Sequence, residues 1–185
     1  MIFHPTPLAG AFVLDLERRE DARGFFARAF CTRELQAHGL ALAVAQSNVA
    51  FTRRRGTVRG LHYQEPPATE TKLVRCTQGA VLDVIVDLRP GSPTRLRHAA
   101  VELTAANHRA LLVPPLCAHG YQTLTDDAEI TYLVSEFYAP AQERGLRHDD
   151  PALAIRWPLP VADVSDKDTA WPLLDFQAVA SMEAS

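Results

Sequence analysis

A chain of 185 residues with a net charge of -3, 47% hydrophobic and 22% charged residues, has the composition of one folded unit and excludes a disordered chain. No basic run is long enough to neutralise a track of phosphates, which excludes a nucleic-acid binder. No stretch approaches the length of a membrane span, MIFHPTPLAG at the N-terminus lacks a basic region followed by a long apolar run, and the three cysteines Cys31, Cys76 and Cys117 show no CxxC spacing, so a soluble cytoplasmic protein without disulfides or zinc is expected.

Residues 11–16 (AFVLDL) and 24–30 (GFFARAF), parted by a charged turn, are short, apolar and β-prone, and read as strands. Residues 32–38 open on Thr32 as an N-cap, carry an early Glu34 and stop before Gly39, which predicts a short helix. Strand character returns over 43–52. Arg59 to His62 then leaves a strand, and Glu65-Pro66-Pro67 turns the chain back. KLVRCTQ and AVLDVIVDLR flank Gly79 and predict two strands around a Gln-Gly turn. Further β runs follow at 97–103, 110–113, 119–124 and 128–138, separated by the turn clusters GSPT, TAAN, PPLC and TDD. The tail beyond is irregular apart from a strand-like LAIRWP. Regular short strands, 13 prolines and little helix predict a mainly β jelly-roll barrel or sandwich with a few short helices. One domain over 1–185 is expected, its jelly-roll core at about 40–140, completed by an N-terminal arm and a C-terminal tail.

Polar chemistry concentrates in residues 56–72, where Arg59, His62, Tyr63, Gln64 and Lys72 fall within seventeen positions. Lys72 and Lys167 are the only lysines among 19 basic residues. In a chain that otherwise uses Arg, a compact ammonium at 72 suits a developing alkoxide or enolate, the plain alternative being a solvated lysine in a turn. Asp83 lies inside the apolar VLDVIVDL and is costly to bury unpaired, so a histidine partner is expected, with His119 the choice. That pair either belongs to a site or simply joins two strands. Glu129 and Tyr132 also sit in apolar strands, and inward polar groups of a jelly roll line its cavity. The cluster Arg53-Arg54-Arg55 reads equally as a solvated loop or as a contact for substrate phosphates.

These residues carry a resemblance. The chain resembles the dTDP-4-dehydrorhamnose 3,5-epimerases, cupin-like sugar-nucleotide epimerases of the rhamnose pathway, on DARGFF (21–26), QSN (46–48), VRGLHYQ (58–64), KLVRC (72–76), GAVLDVIVDLRPGSPT (79–94), VPPLCAHGY (113–121), FYAP (137–140), and DP, IRWP and SDKD in the tail. The motifs keep family order from about residue 2 to residue 172. The resemblance implies inversion at C3 and C5 of a nucleotide-linked 4-keto-6-deoxyhexose, converting dTDP-4-dehydro-6-deoxy-D-glucose to dTDP-4-dehydro-L-rhamnose without metal or cofactor. Both carbons are α to the C4 carbonyl, so a base can take either proton if the enolate is stabilised, and an acid must return one from the opposite face. By the resemblance His62 is the base, Asp168 its supporting carboxylate, Tyr132 the acid, and Lys72 the group near the C4 oxygen. It places Arg23, Phe25, Gln46, Asn48, Arg59, His119 and Tyr138 on the substrate, and implies a homodimer whose N-terminal segment completes the neighbouring site.

The chain also departs from the family's pattern. Arg28 replaces a Glu associated with reading the base, Leu116 and Cys117 replace Gly and Phe beside His119, His148-Asp149-Asp150-Pro151 stands where WDDP or WNDP is usual, and Glu70 stands where Gln is common. Rival readings are an epimerase of one carbon acting on another nucleotide sugar such as a CDP-linked one, a ketoisomerase of the same fold, and a sugar-nucleotide-binding protein without turnover. A metal-dependent cupin is disfavoured, because LHYQ supplies one histidine and no HxH pair occurs.

Overall fold

Long apolar runs such as KLVRC and AVLDVIVDL suit strands buried on both faces, and the computed structural model, which describes residues 1–174, arranges them so. In chain order the elements are β1 (Ile2–Pro5), β2 (Phe12–Asp15), β3 (Arg19–Asp21), β4 (Gly24–Phe26), α1 (Thr32–Ala37), β5 (Gln46–Thr52), β6 (Val58–Gln64) and β7 (Lys72–Gln78). They continue as β8 (Ala80–Asp87), β9 (His98–Thr104), β10 (Ala110–Val113), β11 (Cys117–Thr123), β12 (Ala128–Val134), β13 (Glu143–Gly145) and α2 (Asp166–Thr169).

Two antiparallel sheets form the cupin-like jelly roll, one ordered β1-β2-β10-β7-β12-β5 and the other β13-β6-β11-β8-β9, while β3 and β4 make a separate hairpin. Val74, Cys76, Val81, Ile85, Leu111 and Ile130 come from both sheets and pack into one core, each large aliphatic side chain contributing about 1.5–3 kcal/mol on burial. The outer face of the first sheet is covered by Leu35 of α1 and by Leu42, which meet Leu14, Leu73 and Leu112. The outer face of the second is covered by the tail, where Leu146, Leu153 and Trp157 pack on Leu61, Val84 and Ala118.

Several expectations need correction. The Gln78-Gly79 turn does not close a hairpin: β7 and β8 lie in different sheets, and the turn carries the chain across the sandwich. The helix is capped from Cys31 without a side-chain bond, and Thr32 is its first residue rather than its cap. GFFARAF holds only three strand residues, all exposed. Strand β6 runs through Gly60 to Gln64, so His62 sits inside a strand and not where the chain leaves one, and β11 starts inside the expected PPLC turn, so His119 sits within its strand and not at its start. LAIRWP is not a strand. SDKD, which the residues alone suggest is a surface turn, begins α2, with Asp168 only 3% exposed.

Candidate active site

In a regular strand residues three apart point to opposite faces. Strand β6 escapes this rule at Gly60. His62 pairs with His119 and Arg59 with Tyr121, so three steps on β6 match two on β11, and the register shifts there. The extra residue is a bulge, which turns Arg59 and His62 towards the same cavity. Gly60 has φ 101°, and a Cβ there would lie 2.6 Å from the His119 carbonyl oxygen and 2.7 Å from Gly120 Cα. Only glycine fits this approach. Its amide donates to Asp168 Oδ2 at 3.0 Å.

Asp168 is fixed from three directions. Ser165 caps α2 by accepting the Asp168 amide at 3.1 Å, Gly60 holds one carboxylate oxygen, and His62 Nε2 lies 2.6 Å from the other. Burial raises the Asp168 carboxyl, but the bonds from His62 and the Gly60 amide outweigh it and hold the group below the usual carboxylate range. An ionised carboxylate only accepts, so the His62 nitrogen facing it, Nε2, is the one that carries a proton, and it is the Nδ1 lone pair that a neutral ring would offer.

Lys72 opens β7 and is 8% exposed. Its Nζ lies 2.9 Å from Glu70 Oε1 and 3.4 Å from the His62 carbonyl oxygen. Tyr132 stands on β12 between Val74 of β7 and Asn48 of β5. Burial raises its phenol, the Glu70 charge adds to this and Arg59 opposes it, so the phenol remains protonated at neutral pH.

Two adjoining cavities share His62, Lys72 and Tyr132. The first, about 420 Å³, adds Arg59, His119 and Asp168. The second, about 390 Å³, adds Gln46, Asn48 and Tyr138. His119 Nε2 bonds the fully buried Asp83 at 2.9 and 3.0 Å, the pairing the sequence predicts. Arg59 donates to Thr52 Oγ1 at 2.9 Å and to the Phe51 carbonyl at 3.2 Å. Tyr138 donates to Glu143 Oε2 at 2.7 Å.

Arg23, Phe25 and Arg28 line neither cavity. Arg23 pairs with Asp21 at 2.6 Å, Phe25 lies under the Arg18 guanidinium at 4.6 Å, and Arg28 pairs with Glu34 at 2.9 Å. Among the lining residues to which the sequence assigns no role in the site are Glu70, Glu143 and Lys167. Lys167 Nζ donates to Glu143 Oε1 at 2.6 Å, tying α2 to β13 beside the cavity. The rarity that marks Lys72 marks Lys167 equally, whereas nothing local distinguishes Glu143. Among the described residues no group of three or more His, Cys, Asp or Glu is arranged to hold a metal, and no helix is long and apolar enough to cross a membrane.

The family model described as dTDP-4-dehydrorhamnose 3,5-epimerase matches residues 5–175. The chain belongs to the dTDP-4-dehydrorhamnose 3,5-epimerase family. This is a family of isomerases. A dTDP-4-dehydrorhamnose 3,5-epimerase of Sinorhizobium fredii is 39% identical over 175 residues, which are 94% of this chain and 90% of that one. The crystal structure of dTDP-4-dehydrorhamnose 3,5-epimerase from Bacillus anthracis with TDP and PPi bound has a TM-score of 0.89 at 40% identity, covering 94% of this chain and 99% of that one. A 3'-monoepimerase from Streptomyces bikiniensis in complex with dTDP-quinovose has a TM-score of 0.85 at 37% identity, covering 97% and 91%.

Proposed function

We propose that this epimerase inverts C3 and C5 of dTDP-4-dehydro-6-deoxy-D-glucose to give dTDP-4-dehydro-L-rhamnose. The observation that carries the reading is the 2.6 Å bond between His62 and the buried Asp168 at the edge of a cavity shared with Lys72 and Tyr132. His62 Nδ1 takes the proton α to the C4 carbonyl, and Asp168 stabilises the imidazolium that forms. The carbon–hydrogen pair moves into the enolate, whose C4 oxygen takes a hydrogen bond from Lys72. Tyr132 then returns a proton to carbon from the other face, and the enolate collapses to the ketone.

In the same reading Gln46, Asn48, Arg59, His119 and Tyr138 bind the sugar nucleotide, the arginine fork suiting its diphosphate. Arg23, Phe25 and Arg28 serve a neighbouring subunit of a homodimer. The exposure of every residue of β3 and β4 supports this, because that hairpin rests on little of its own chain. The likeness to a 3'-monoepimerase favours a second reading, inversion at C3 alone.

Proton NMR in deuterium oxide with dTDP-4-keto-6-deoxyglucose decides between them. Loss of both the C3 and C5 signals with appearance of the L-lyxo product supports the first reading, and loss of C3 alone supports the second. A CDP-linked sugar run in parallel tests Arg28. Absence of exchange with either sugar overturns both readings in favour of binding without turnover.

A further inference from the structure

A buried ammonium needs a counter-charge, and only one acid touches Lys72 among the described residues. The neighbouring acids are engaged elsewhere: Asp168 with His62, Asp83 with His119, and Glu143 with Lys167 and Tyr138. Glu136, across the second cavity, accepts from the Phe137 amide, and Asp163 is exposed at the rim of the first. The nearby cations Arg59 and Lys167 likewise have their own partners.

Glu70 meets Lys72 as a formed contact rather than a chance surface pair. The two side chains retain 12% and 10% of their exposure. The second Glu70 oxygen accepts from Gln64 Nε2 at 3.3 Å, and Gln64 is itself fixed by the Ala68 carbonyl at 2.9 Å and the Ala139 amide at 2.7 Å. The same Gln64 amide also faces the Phe137 carbonyl at 3.3 Å, so Glu70 is held between Lys72 on one oxygen and a shared, fixed amide on the other.

From this arrangement we infer that Glu70 is a positioning residue, which holds the Lys72 ammonium at the junction of the two cavities, beside His62 and Tyr132. The inference rests on the epimerase reading for its catalytic consequence alone. Of the three Lys72 donors, Glu70 and the His62 carbonyl take two, leaving the third for a ligand oxygen. A lysine stem has four rotatable bonds, and an ammonium set to one place by an ion pair loses that freedom before substrate arrives. The same carboxylate adds to the forces that keep the Tyr132 phenol protonated, so one acid acts on two of the three groups shared by the cavities.

The test exploits the scarcity of lysine. Protein labelled with carbon-13 at the lysine ε position gives two signals, Lys72 and Lys167, assigned by Lys167→Arg. In the intact enzyme the Lys72 methylene is expected to be motionally restricted. Glu70→Ala is expected to release it to the mobility of an exposed lysine, with Glu70→Gln between the two, while the Lys167 signal stays in place as a control for folding. In turnover, Glu70→Ala is expected to lower kcat about tenfold or more with KM within about twofold. Unchanged Lys72 mobility in Glu70→Ala overturns the proposal. Should that variant not fold, Glu70→Gln carries the test, with mobility above the unsubstituted enzyme supporting the proposal and unchanged mobility overturning it. The relaxation measurement needs no turnover, so failure of the epimerase reading and failure of this one are separable.

Discussion

His62 and Asp168 are 106 residues apart in the chain and 2.6 Å apart in the fold. One strand bulge and one turn of helix create that distance. Asp168→Asn keeps the side-chain volume but removes the charge that stabilises imidazolium, and its amide can donate to Nε2 and reverse the tautomer. Turnover is expected to fall on the order of 10²–10⁴-fold with KM little changed. Steady-state kinetics beside a circular dichroism spectrum checks this, and near-normal kcat in the folded variant removes Asp168 from the mechanism. A stability effect accompanies it. The Asp168 carboxyl lies below its usual range in the folded protein, so its contribution is present above the unfolded value of about 3.9 and is lost as pH falls through the folded one. Urea midpoints measured from pH 7 down to pH 3 are expected to fall less steeply for Asp168→Asn.

Strands such as β7 and β8 were legible because they are buried on both faces and their apolar runs are long. What could not be read is which face a side chain takes. Arg59 and His62 lie three apart, and a plain alternation of two separates them; the bulge at Gly60 reunites them, and a bulge leaves no periodic trace. Asp168 was unreadable for a different reason. SDKD is polar and locally indistinguishable from a surface turn, and the burial of Asp168 alone within it comes with its bonds to β6, over a hundred residues away. Only the family resemblance pointed to it. The apolar residues of LAIRWP misled in the opposite sense, because they cover the outer face of a sheet without joining it: Ile155 and Trp157 pack on that face. The Asp83–His119 pair was readable, since a carboxylate inside an apolar strand demands a partner.

Tyr132→Phe separates proton removal from proton return. Burial first, and then the Glu70 charge, raise the phenol, so it is protonated across neutral pH and able to donate. Loss of the hydroxyl is expected to leave exchange of substrate protons with solvent deuterium measurable while formation of inverted product falls about 10²-fold or more. The two rates come from one NMR time course. Equal loss of both, with the fold intact, assigns Tyr132 to binding or to the enolate instead.

Gly60→Ala is expected to damage the site through the backbone. The added methyl would stand 2.6 Å from the His119 carbonyl oxygen and adopt φ 101°, so β6 and β11 must part. The strain and lost packing are expected to cost about 2–4 kcal/mol, read from denaturant unfolding. Turnover should fall even where the protein remains folded, because the same shift moves His62 and the amide that holds Asp168. A variant with unaltered stability and rate would mean that the close approach is not required.

Asp87 offers a test remote from the chemistry. Fully buried at the end of β8, it accepts from Arg89 Nε and Nη2 at 2.8 Å and from the hydroxyls of Ser92 and Thr94 at 2.6 and 2.7 Å. Burial raises its carboxyl, yet these donors together hold it well below the ordinary range. Asp87→Asn leaves Arg89 without its counter-charge, and a loss of about 3–5 kcal/mol is expected in denaturant unfolding. Both KM and kcat should be preserved at a temperature where the variant is folded.

The thiols report on the same fold without substitution. Burial pushes Cys76 up to about 11 and Cys117 up to about 12, so at pH 8 the thiolate fraction of Cys76 is about one in a thousand and that of Cys117 smaller still. Cys31, just before α1, is partly exposed and open to a reagent from solvent. A thiol reagent such as Ellman's is expected to modify one cysteine quickly and the other two only at the rate at which the sandwich opens. Addition of denaturant should merge the three into a single fast phase. Rapid modification of all three in native buffer would show that Cys76 and Cys117 are not enclosed between the sheets.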